Sequence, residues 1–405
     1  MPGETRARGA AGSGAGGRIR VALVFGGRSS EHSISCTTAA GVMRAIDRGR
    51  YDVLPVGITP DGEWVVAADD PDRWSLRPGH TPRVAGPGPD GEGRVVLPLG
   101  ATGGEVVVLG AGGHAESLGR VDVVFPVLHG PFGEDGTVQG LLELAGVPYV
   151  GSGVLASAAG MDKHYMKVVL AGHGLPVGPY TVITARQWRS NRDACLQVVA
   201  ALGSPVFVKP ARAGSSFGIT KVADAADAVA VAAAIESARE HDPKVVVEAG
   251  IVGREIECGV LGGRGDAPPR TTLPGEIVVD PGQGFYHFDA KYLSSEGIQL
   301  ACPADLPDEA VARVRDVAAR TFEAFGAEGL SRVDCFYTPE GEIVVNEINT
   351  LPGFTSISMY PKLWEEVGLS LPDLVDRLVA IAMAVYHRRQ TLDEGIKDWL
   401  AQLES

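Results

Sequence analysis

The segment VDCFYTPEGEIVVNEINTLPGFTS, residues 333–356, constrains the fold more than any other part of this sequence. Two apolar stretches flank a polar connection at Glu340-Gly341, a pattern that predicts a β-hairpin. Residues two apart in a strand point to the same face of the sheet. A two-residue turn at Glu340-Gly341 therefore places Asp334 opposite Glu347, on a hairpin that is otherwise largely apolar.

The same register places Arg332 opposite Asn349, so that three oxygen-bearing side chains converge: Asp334, Glu347 and Asn349. Two facing carboxylates repel each other unless a positive charge lies between them. Hard oxygen ligands of this kind suit Mg²⁺, which bridges carboxylates to substrate phosphates. The pattern therefore predicts a metal platform on this face of the hairpin.

A solvated outer face of an edge hairpin is the alternative interpretation. Phe336, Ile343 and Val345 are expected on the same face as the acidic residues. Three apolar side chains argue against full solvation of that face, so we expect the hairpin to be a core element.

The chain has 405 residues, enough for two or three domains with a large buried core. Its formal net charge is −14 and no basic stripe is visible, which argues against a nucleic-acid partner. No stretch approaches the length of a transmembrane helix, and the first residues lack the apolar core of a signal peptide. Five scattered cysteines show no metal or disulfide spacing, and Cys258 and Cys335 are expected to be buried thiols. These features predict a cytoplasmic protein without a membrane partner.

The N-terminal part is expected to comprise a disordered tail over residues 1–17 and a Rossmann-like domain over residues 18–148. The apolar run IRVALVFGG predicts a strand of a covered parallel sheet, followed by a helix with Ser29 or Ser30 as its N-cap. The tail contains GSGAGG, a formal match to the dinucleotide-binding fingerprint. We assign no site to it, because the fingerprint requires a preceding strand and here the first strand follows.

Beyond residue 148 the sequence predicts two further domains, a central one over residues 149–248 and a C-terminal one over residues 249–393, followed by a tail over residues 394–405. In the central domain, a strand leads into KPARAGSSFG, a loop of small residues between Lys209 and Gly218. Its backbone can approach a ligand closely, and the lysine and the serine hydroxyls suit a phosphate. An ordinary flexible hairpin is the alternative, and the loop is not a Walker A motif.

Four other polar residues are less informative when each is taken alone. Glu248 and Glu255 either meet a nucleotide or are solvated strand ends, and the second interpretation is favoured. His129 follows a buried strand, where ligands of open α/β sheets bind, but a backbone carbonyl could equally satisfy it. Glu31 lies in the first helical turn, where the helix dipole alone explains an acidic residue.

Taken together and in this order, a phosphate loop, an adenine-binding strand and an Asp…Glu-x-Asn hairpin resemble the ATP-grasp superfamily. Six motifs narrow the resemblance to the D-alanine–D-alanine ligase family: VFGGRSSEHSIS, HGPFGEDGTVQG, YVGSGVLASAAGMDK, VKPARAGSSFG, FDAKYL and NEINTLPGFTSISMYP. They extend over about residues 19–390 and leave out the tail and much of residues 60–118. The resemblance implies an α/β chain with an ATP-grasp fold and an N-terminal Rossmann-like (pre-ATP-grasp) domain.

The resemblance also implies ATP and two Mg²⁺ ions, or Mn²⁺, as cofactors. The implied metal ligands are Asp334, Glu347 and Asn349. The implied nucleotide-binding residues are Lys163, Lys209, Ser216, Glu248, Ala249, Ile251, Glu255 and Lys291, the last of these at the γ-phosphate. The implied catalytic residues are Glu31, Ser215, Tyr292, Arg332 and Gly353. The implied D-alanine-binding residues are His129, Ser358 and Met359. Many relatives have a polar or acidic residue where this chain has Ala213, so a side-chain contact there is not expected.

The implied reaction joins two D-alanines through a D-alanyl phosphate to give D-alanyl-D-alanine for peptidoglycan precursors. D-lactate or D-serine as the second substrate is the alternative, although the AKYL loop with Tyr292 resembles the dipeptide-forming type. Another ATP-grasp ligase is a more distant alternative, and a nucleotide-binding sensor without turnover belongs to a different class altogether. A sensor need not retain an arginine for a transition state, so it is disfavoured by the full set Lys291, Arg332, Asp334, Glu347 and Asn349. By analogy with relatives, a homodimer is expected.

Overall fold

The computed structural model describes residues 17–87, 93–99, 103–110, 113–263, 267–279, 298–355 and 358–403. Lys291 and Tyr292 lie outside the described residues, together with the rest of the FDAKYL motif and residues 1–16 of the predicted tail. The predictions made for them therefore stay predictions.

Seven described strands form the first sheet: β1 (Ile19–Gly26), β2 (Tyr51–Ile58), β3 (Trp64–Val66), β4 (Arg94–Val96), β5 (Glu105–Leu109), β6 (Ala115–Arg120) and β7 (Val123–Pro126). The strand order is β6-β5-β4-β3-β2-β1-β7. In it β1 runs parallel to β2 and β7, and the other neighbours are antiparallel. The helices α1 (His32–Ala45) and α2 (Thr137–Ala145) follow β1 and β7. The loops after β1 and β7 therefore meet at one edge of the sheet, the usual place for a ligand.

The helix α1 begins later than its sequence predicted. Its N-cap is Glu31, whose side chain makes no capping hydrogen bond. The Ser29 hydroxyl donates instead to the carbonyl oxygen of His129 at 2.6 Å. The prediction of Ser29 or Ser30 as the N-cap was wrong, because the Ser29 hydroxyl accepts the Glu31 N–H at 3.2 Å in the turn before the helix, which begins only at His32.

The second sheet is antiparallel and follows two helices, α3 (Val154–Met161) and α4 (Lys163–Gly172). Its strands are β8 (Tyr180–Thr184), β9 (Val206–Pro210), β10 (Thr220–Val222) and β11 (Lys244–Ala249), in the order β10-β9-β11-β8. Three helices cover it: α5 (Ala185–Ser190), α6 (Arg192–Ala200) and α7 (Ala228–Arg239). The predicted phosphate loop connects β9 to β10.

The third sheet comprises β12 (Arg254–Leu261), β13 (Arg270–Thr271), β14 (Gly275–Val279), β15 (Ile298–Ala301), β16 (Leu330–Tyr337) and β17 (Ile343–Asn349). Its order is β15-β14-β12-β16-β17, with β13 paired to β12. The associated helices are α8 (Asp308–Ala324), α9 (Met359–Glu366) and α10 (Leu371–Leu403). The helix α10 continues through most of the predicted C-terminal tail.

Two helices pack against sheets whose strands are distant from them in sequence. Met166 and Leu170 of α4 are buried in one hydrophobic cluster with β16, β17 and α8 of the third sheet. Leu374 and Val375 of α10 are buried in a cluster with α1, β1 and β7 of the first sheet. In the described part of the chain, no helix is long and apolar enough to cross a membrane. Cys258 is fully buried, as predicted.

The hairpin of β16 and β17 has the predicted register at its four predicted site residues. Asp334 faces Glu347, and Arg332 faces Asn349. The connection, however, is one residue longer than a two-residue turn, because the Thr338 N–H bonds to the carbonyl oxygen of Glu342 at 2.9 Å. A shift of register between Asp334 and Cys335 compensates for that extra residue.

The register shift changes which side chains share the acidic face. Ile343 and Val345 are 4% and 1% exposed and pack in the hydrophobic cluster with Val333 and Cys335. They therefore lie on the face opposite Asp334. The prediction that Ile343 and Val345 share the acidic face was wrong, because a one-residue shift moves every side chain beyond it to the other face.

Candidate active site

A cavity of about 200 Å³ lies where α4, the second sheet and the third sheet meet. The predicted nucleotide-binding residues that line it are Lys163, Lys209, Ser216, Glu248, Ala249, Ile251 and Glu255. Asp334 and Glu347 line it as well. An adjoining cavity of about 50 Å³ shares Lys163, Ser215 and Glu347 with it and adds Asn349. The structure therefore brings the described members of the predicted nucleotide and metal sets together around two adjoining cavities.

The phosphate loop is held in an unusual backbone conformation. Ser215 and Ser216 have φ angles of 48° and 60°, a region that residues other than glycine rarely adopt. Lys163 Nζ donates to the Ala213 carbonyl oxygen at 2.6 Å, and the Ser215 hydroxyl donates to a Glu31 carboxylate oxygen. At Ala213 the main chain, rather than the side chain, provides the contact. These bonds fix the loop between α4 and the first sheet.

The buried face of α1 is polar next to this loop. Glu31, Ser35 and Thr38 are at most 5% exposed. The Ser35 hydroxyl accepts from the Gly26 N–H at 2.8 Å and donates to the Val127 carbonyl oxygen at 2.7 Å, so that it joins the loops after β1 and β7. Ser35 and Thr38 were not predicted, although their helical spacing from Glu31 could have indicated them.

Glycines allow the chain to approach the Glu31 carboxylate closely. A Cβ atom at Gly130 would lie 2.7 Å from Glu31 Oε2, and one at Gly214 would lie 3.0 Å from the same oxygen. Gly130 also has a φ of 72°, which disfavours any other residue. The Glu31 carboxylate therefore lies where the loop after β7 meets the phosphate loop.

His129 is buried and neutral at physiological pH. It is 7% exposed, and its Nε2 lies 3.0 Å from the Thr38 hydroxyl. Burial lowers the pKa of the imidazole to about 4, because the charged form is poorly solvated there.

We expect His129→Gln to flatten the dependence of stability on pH. The histidine pKa is lower in the folded protein than in the unfolded chain, so protonation favours unfolding as the pH falls from about 6.5 towards 4. The wild type should lose about 2 kcal/mol more than the variant between pH 7 and pH 4.5. Urea unfolding at both pH values measures this difference. Equal losses in the two proteins would show that the site admits the imidazolium.

Glu134, in the motif HGPFGEDGTVQG, is a further acidic residue of the site and was not predicted. Its carboxylate accepts the Gly130 N–H at 2.7 Å, and it lines the smaller cavity. Removal from water, followed by the charge of Glu31, raises the pKa of this carboxyl to about 8. Glu134 therefore places an acid of raised pKa in the wall beside Glu31.

Arg332 is the cation of the acidic hairpin. Its guanidinium donates two hydrogen bonds of 2.7 Å to Asp334 and lies 3.1 Å from Glu257 Oε2 on the neighbouring strand β12. Burial opposes its charge, but Asp334 and Glu257 outweigh burial and raise the pKa of Arg332. Glu257 was not predicted. It faces Asp334 across strands distant in sequence, a pairing that no local pattern reveals.

The donor set of the hairpin fits a divalent metal ion with oxygen ligands. Asn349 Nδ2 donates to Asp334 Oδ2 at 2.9 Å, so the amide and this carboxylate are adjacent, and Glu347 faces Asp334. Over the described ranges no group of three histidine, cysteine or acidic side chains could hold a metal ion. Two carboxylates and one amide instead suit Mg²⁺, which keeps several water ligands.

The start of α9 is a further candidate site, at which backbone N–H groups could bind a ligand. Ser358 is its N-cap, and the Ser358 hydroxyl accepts the Thr355 N–H at 3.1 Å. A Cβ atom at Gly353 would lie 2.9 Å from the Ser358 hydroxyl, so any other residue there would displace the Ser358 side chain. The Met359 side chain is 4% exposed and packs against Ile277, which leaves its backbone N–H as the group that could serve a ligand. A helix N-terminus of this kind suits a carboxylate.

Comparisons with known proteins agree with this architecture. The family model described as D-ala D-ala ligase N-terminus matches residues 20–152, and the one described as D-ala D-ala ligase C-terminus matches residues 169–380. The D-alanine–D-alanine ligases of Arthrobacter sp. (strain FB24) and Kineococcus radiotolerans are each 58% identical to the chain. The alignments cover 90% of the chain and 94% and 96% of those proteins.

Solved structures give the same result. The D-alanine–D-alanine ligase from Coxiella burnetii matches with a TM-score of 0.77 at 30% identity, covering 96% of this chain and 99% of that one. The VanG D-Ala:D-Ser ligase from Enterococcus faecalis matches with a TM-score of 0.73 at 36% identity, covering 90% and 100%. The fold is therefore the predicted α/β ATP-grasp fold with an N-terminal Rossmann-like domain, and the class is an ATP-dependent ligase that uses a divalent metal ion. The chain belongs to the D-alanine–D-alanine ligase family.

Proposed function

We propose that the chain joins two D-alanines to form D-alanyl-D-alanine with ATP as the phosphoryl donor. The observation that carries this proposal is the bond between Ser215 and Glu31, which joins the phosphate loop to the wall of the first sheet. An amino acid held at Glu31 then lies at the phosphate end of the nucleotide cavity. Asp334 and Glu347 line the same cavity.

In this proposal ATP occupies the larger cavity. The acceptors Glu248 and Glu255 meet the adenine amino group and the ribose hydroxyls, and the backbone at Ala249 and Ile251 lies along the base. Lys163, Lys209, Ser216 and Lys291 surround the phosphates. Asp334, Glu347 and Asn349 would hold two Mg²⁺ ions, or Mn²⁺ in their place, which would supply positive charge that offsets the charge of the phosphates.

The first step activates the first D-alanine. Glu31 holds its ammonium group, with the neutral His129 beside it. The substrate carboxylate oxygen forms a bond to the γ-phosphorus, the bond from that phosphorus to the β–γ bridging oxygen breaks, and ADP leaves. Ser215 and Tyr292 join Glu31 in a hydrogen-bonded set that excludes water from the acyl phosphate.

The second step forms the peptide bond. The Ser358 hydroxyl and the Met359 N–H hold the carboxylate of the second D-alanine. Its amine, after losing a proton, attacks the carbonyl carbon of the acyl phosphate, and the bond from that carbon to the phosphate oxygen breaks. Arg332 and the Gly353 N–H stabilise the oxyanion that forms between these two events.

D-Lactate and D-serine ligases share this mechanism, and a solved relative is described as a D-Ala:D-Ser ligase. The more similar curated relatives, at 53–58% identity, are described as D-alanine–D-alanine ligases, which supports the dipeptide. We also infer the domain boundaries at residues 148, 248 and 393, a homodimer, and a role in peptidoglycan precursor synthesis.

Incubation of the protein with ATP, Mg²⁺ and D-alanine tests the proposal. We expect ADP, phosphate and a product with the mass of D-alanyl-D-alanine in equal amounts. When D-alanine, D-lactate and D-serine are present at equal concentrations, D-alanyl-D-alanine should remain the main product. Nucleotide binding without phosphate release would identify a sensor, and a dominant depsipeptide or mixed dipeptide would identify the alternative ligases.

A further inference from the structure

Each carboxylate oxygen of Glu248 has its own lysine. Lys209 Nζ lies 2.6 Å from Glu248 Oε2, and Lys167 Nζ lies 3.0 Å from Oε1. The side chains are 11%, 3% and 12% exposed for Lys209, Lys167 and Glu248, so the cluster is almost fully removed from water. Both lysines line the larger cavity. The proposed mechanism uses Lys209 and Glu248 but gives no role to Lys167.

The two lysines differ in what holds them. Lys209 lies on β9, immediately before the phosphate loop, and its long side chain can turn towards phosphate oxygens. Lys167 lies on α4, one helical turn after Lys163, and its ammonium is 5.6 Å from the centre of the Tyr180 ring. It is the more deeply buried of the two, so its ammonium has less room to leave Glu248.

The ionised Glu248 carboxylate requires a neighbouring cation, with or without nucleotide, because it is buried. Burial alone would raise the pKa of this carboxyl, but Lys209 and Lys167 outweigh burial and lower it to about 2. If ATP draws Lys209 to its phosphates, one of these two cations leaves. Without Lys167, the buried Glu248 carboxylate would then have to take up a proton, at a cost that increases with pH.

We propose that Lys167 is a positioning residue for the nucleotide, which keeps Glu248 ionised and oriented when Lys209 moves to the phosphates. The inference rests on the proposed function, because it assumes that ATP occupies this cavity. Lys167 acts through Glu248 and need not touch the nucleotide.

The test is the affinity for Mg²⁺-ATP, measured by calorimetry without D-alanine. We expect Lys167→Met to weaken binding about 30-fold, because one partner of a buried ion pair is removed, while Lys167→Arg stays close to wild type. Lys221→Met is the matched control: Lys221 is exposed on β10 of the same sheet and should leave the affinity unchanged. The KM for D-alanine should be the same in all three variants.

Two further readouts separate positioning from a general loss of structure. In a Glu248→Gln background, Lys167→Met should cause little additional loss, because no carboxylate remains to be balanced. At pH 6 the defect of Lys167→Met should be smaller than at pH 8, because proton uptake by Glu248 in the complex replaces the missing lysine. Calorimetry in buffers of different ionisation enthalpy detects that proton.

The inference is overturned if Lys167→Met binds Mg²⁺-ATP like the wild type, or if its defect is unchanged in the Glu248→Gln background. These outcomes are distinct from a failure of the proposed function. A wild type that binds Mg²⁺-ATP but forms no dipeptide would refute the proposed function and leave the role of Lys167 intact. A wild type that does not bind Mg²⁺-ATP would refute both.

Discussion

Glu347→Gln is expected to lower the turnover of dipeptide synthesis by about 10³-fold at saturating Mg²⁺. Glu347 faces Asp334 across the hairpin and lines both cavities. It is therefore one of two carboxylates that can offset the positive charge of a bound metal ion. The amide keeps the shape of the side chain and removes only that charge. The free energy of unfolding without metal should change by less than about 1 kcal/mol, because one of two facing negative charges is lost.

Glu340→Gln is the control for this change. Glu340 is exposed at the tip of the same hairpin, so the substitution alters net charge equally without touching the cavity. Its turnover and its apparent Mg²⁺ affinity should equal those of the wild type. Steady-state assays over a range of Mg²⁺ concentrations decide the question. Near-normal turnover of Glu347→Gln at high Mg²⁺ would mean that the metal site lies elsewhere.

The hairpin illustrates how far its sequence determined its structure. The register at Asp334 and Glu347 was predicted correctly, but from a turn that is one residue too short. The longer loop and the register shift before Cys335 offset each other. Sequence composition is a good predictor of where a turn occurs. It is a poorer predictor of the length of the turn or of a bulge, because both depend on twist and packing in the assembled sheet. The prediction of the face on which Ile343 and Val345 lie was wrong for that reason.

The site shows a second limit of sequence reasoning. Residues inside contiguous motifs, such as Lys209 and Ser215, were identified because the motif itself suggested a chemistry. Glu257 and Lys167 were not identified, since each matters only through a partner far away in sequence, Arg332 and Glu248 respectively. Such pairs arise from the packing of whole elements. A single sequence carries no record of that packing.

Arg332→Lys is expected to lower turnover by about 10²-fold to 10³-fold, with a smaller effect on the KM for ATP. The guanidinium binds Asp334 with two hydrogen bonds and also contacts Glu257, a geometry that the point charge of lysine cannot reproduce. In the proposed mechanism the same planar group stabilises the oxyanion of the second step. The step that forms the acyl phosphate should therefore be slowed less than the step that forms the peptide bond.

Arg254→Lys provides a matched control, since Arg254 makes a similar two-bond contact with Glu276 in the same sheet. The Arg254 side chain is 38% exposed, against 17% for Arg332, so its pair is more solvated and should contribute less than about 1 kcal/mol. Rapid-quench measurement of ADP formation and of dipeptide formation separates the two steps. If both arginine variants lose turnover equally, or if Arg332→Lys slows only ADP formation, Arg332 supports the hairpin but does not stabilise the oxyanion. A selective delay in dipeptide formation, confined to Arg332→Lys, is the result expected if Arg332 stabilises the oxyanion in the proposed mechanism.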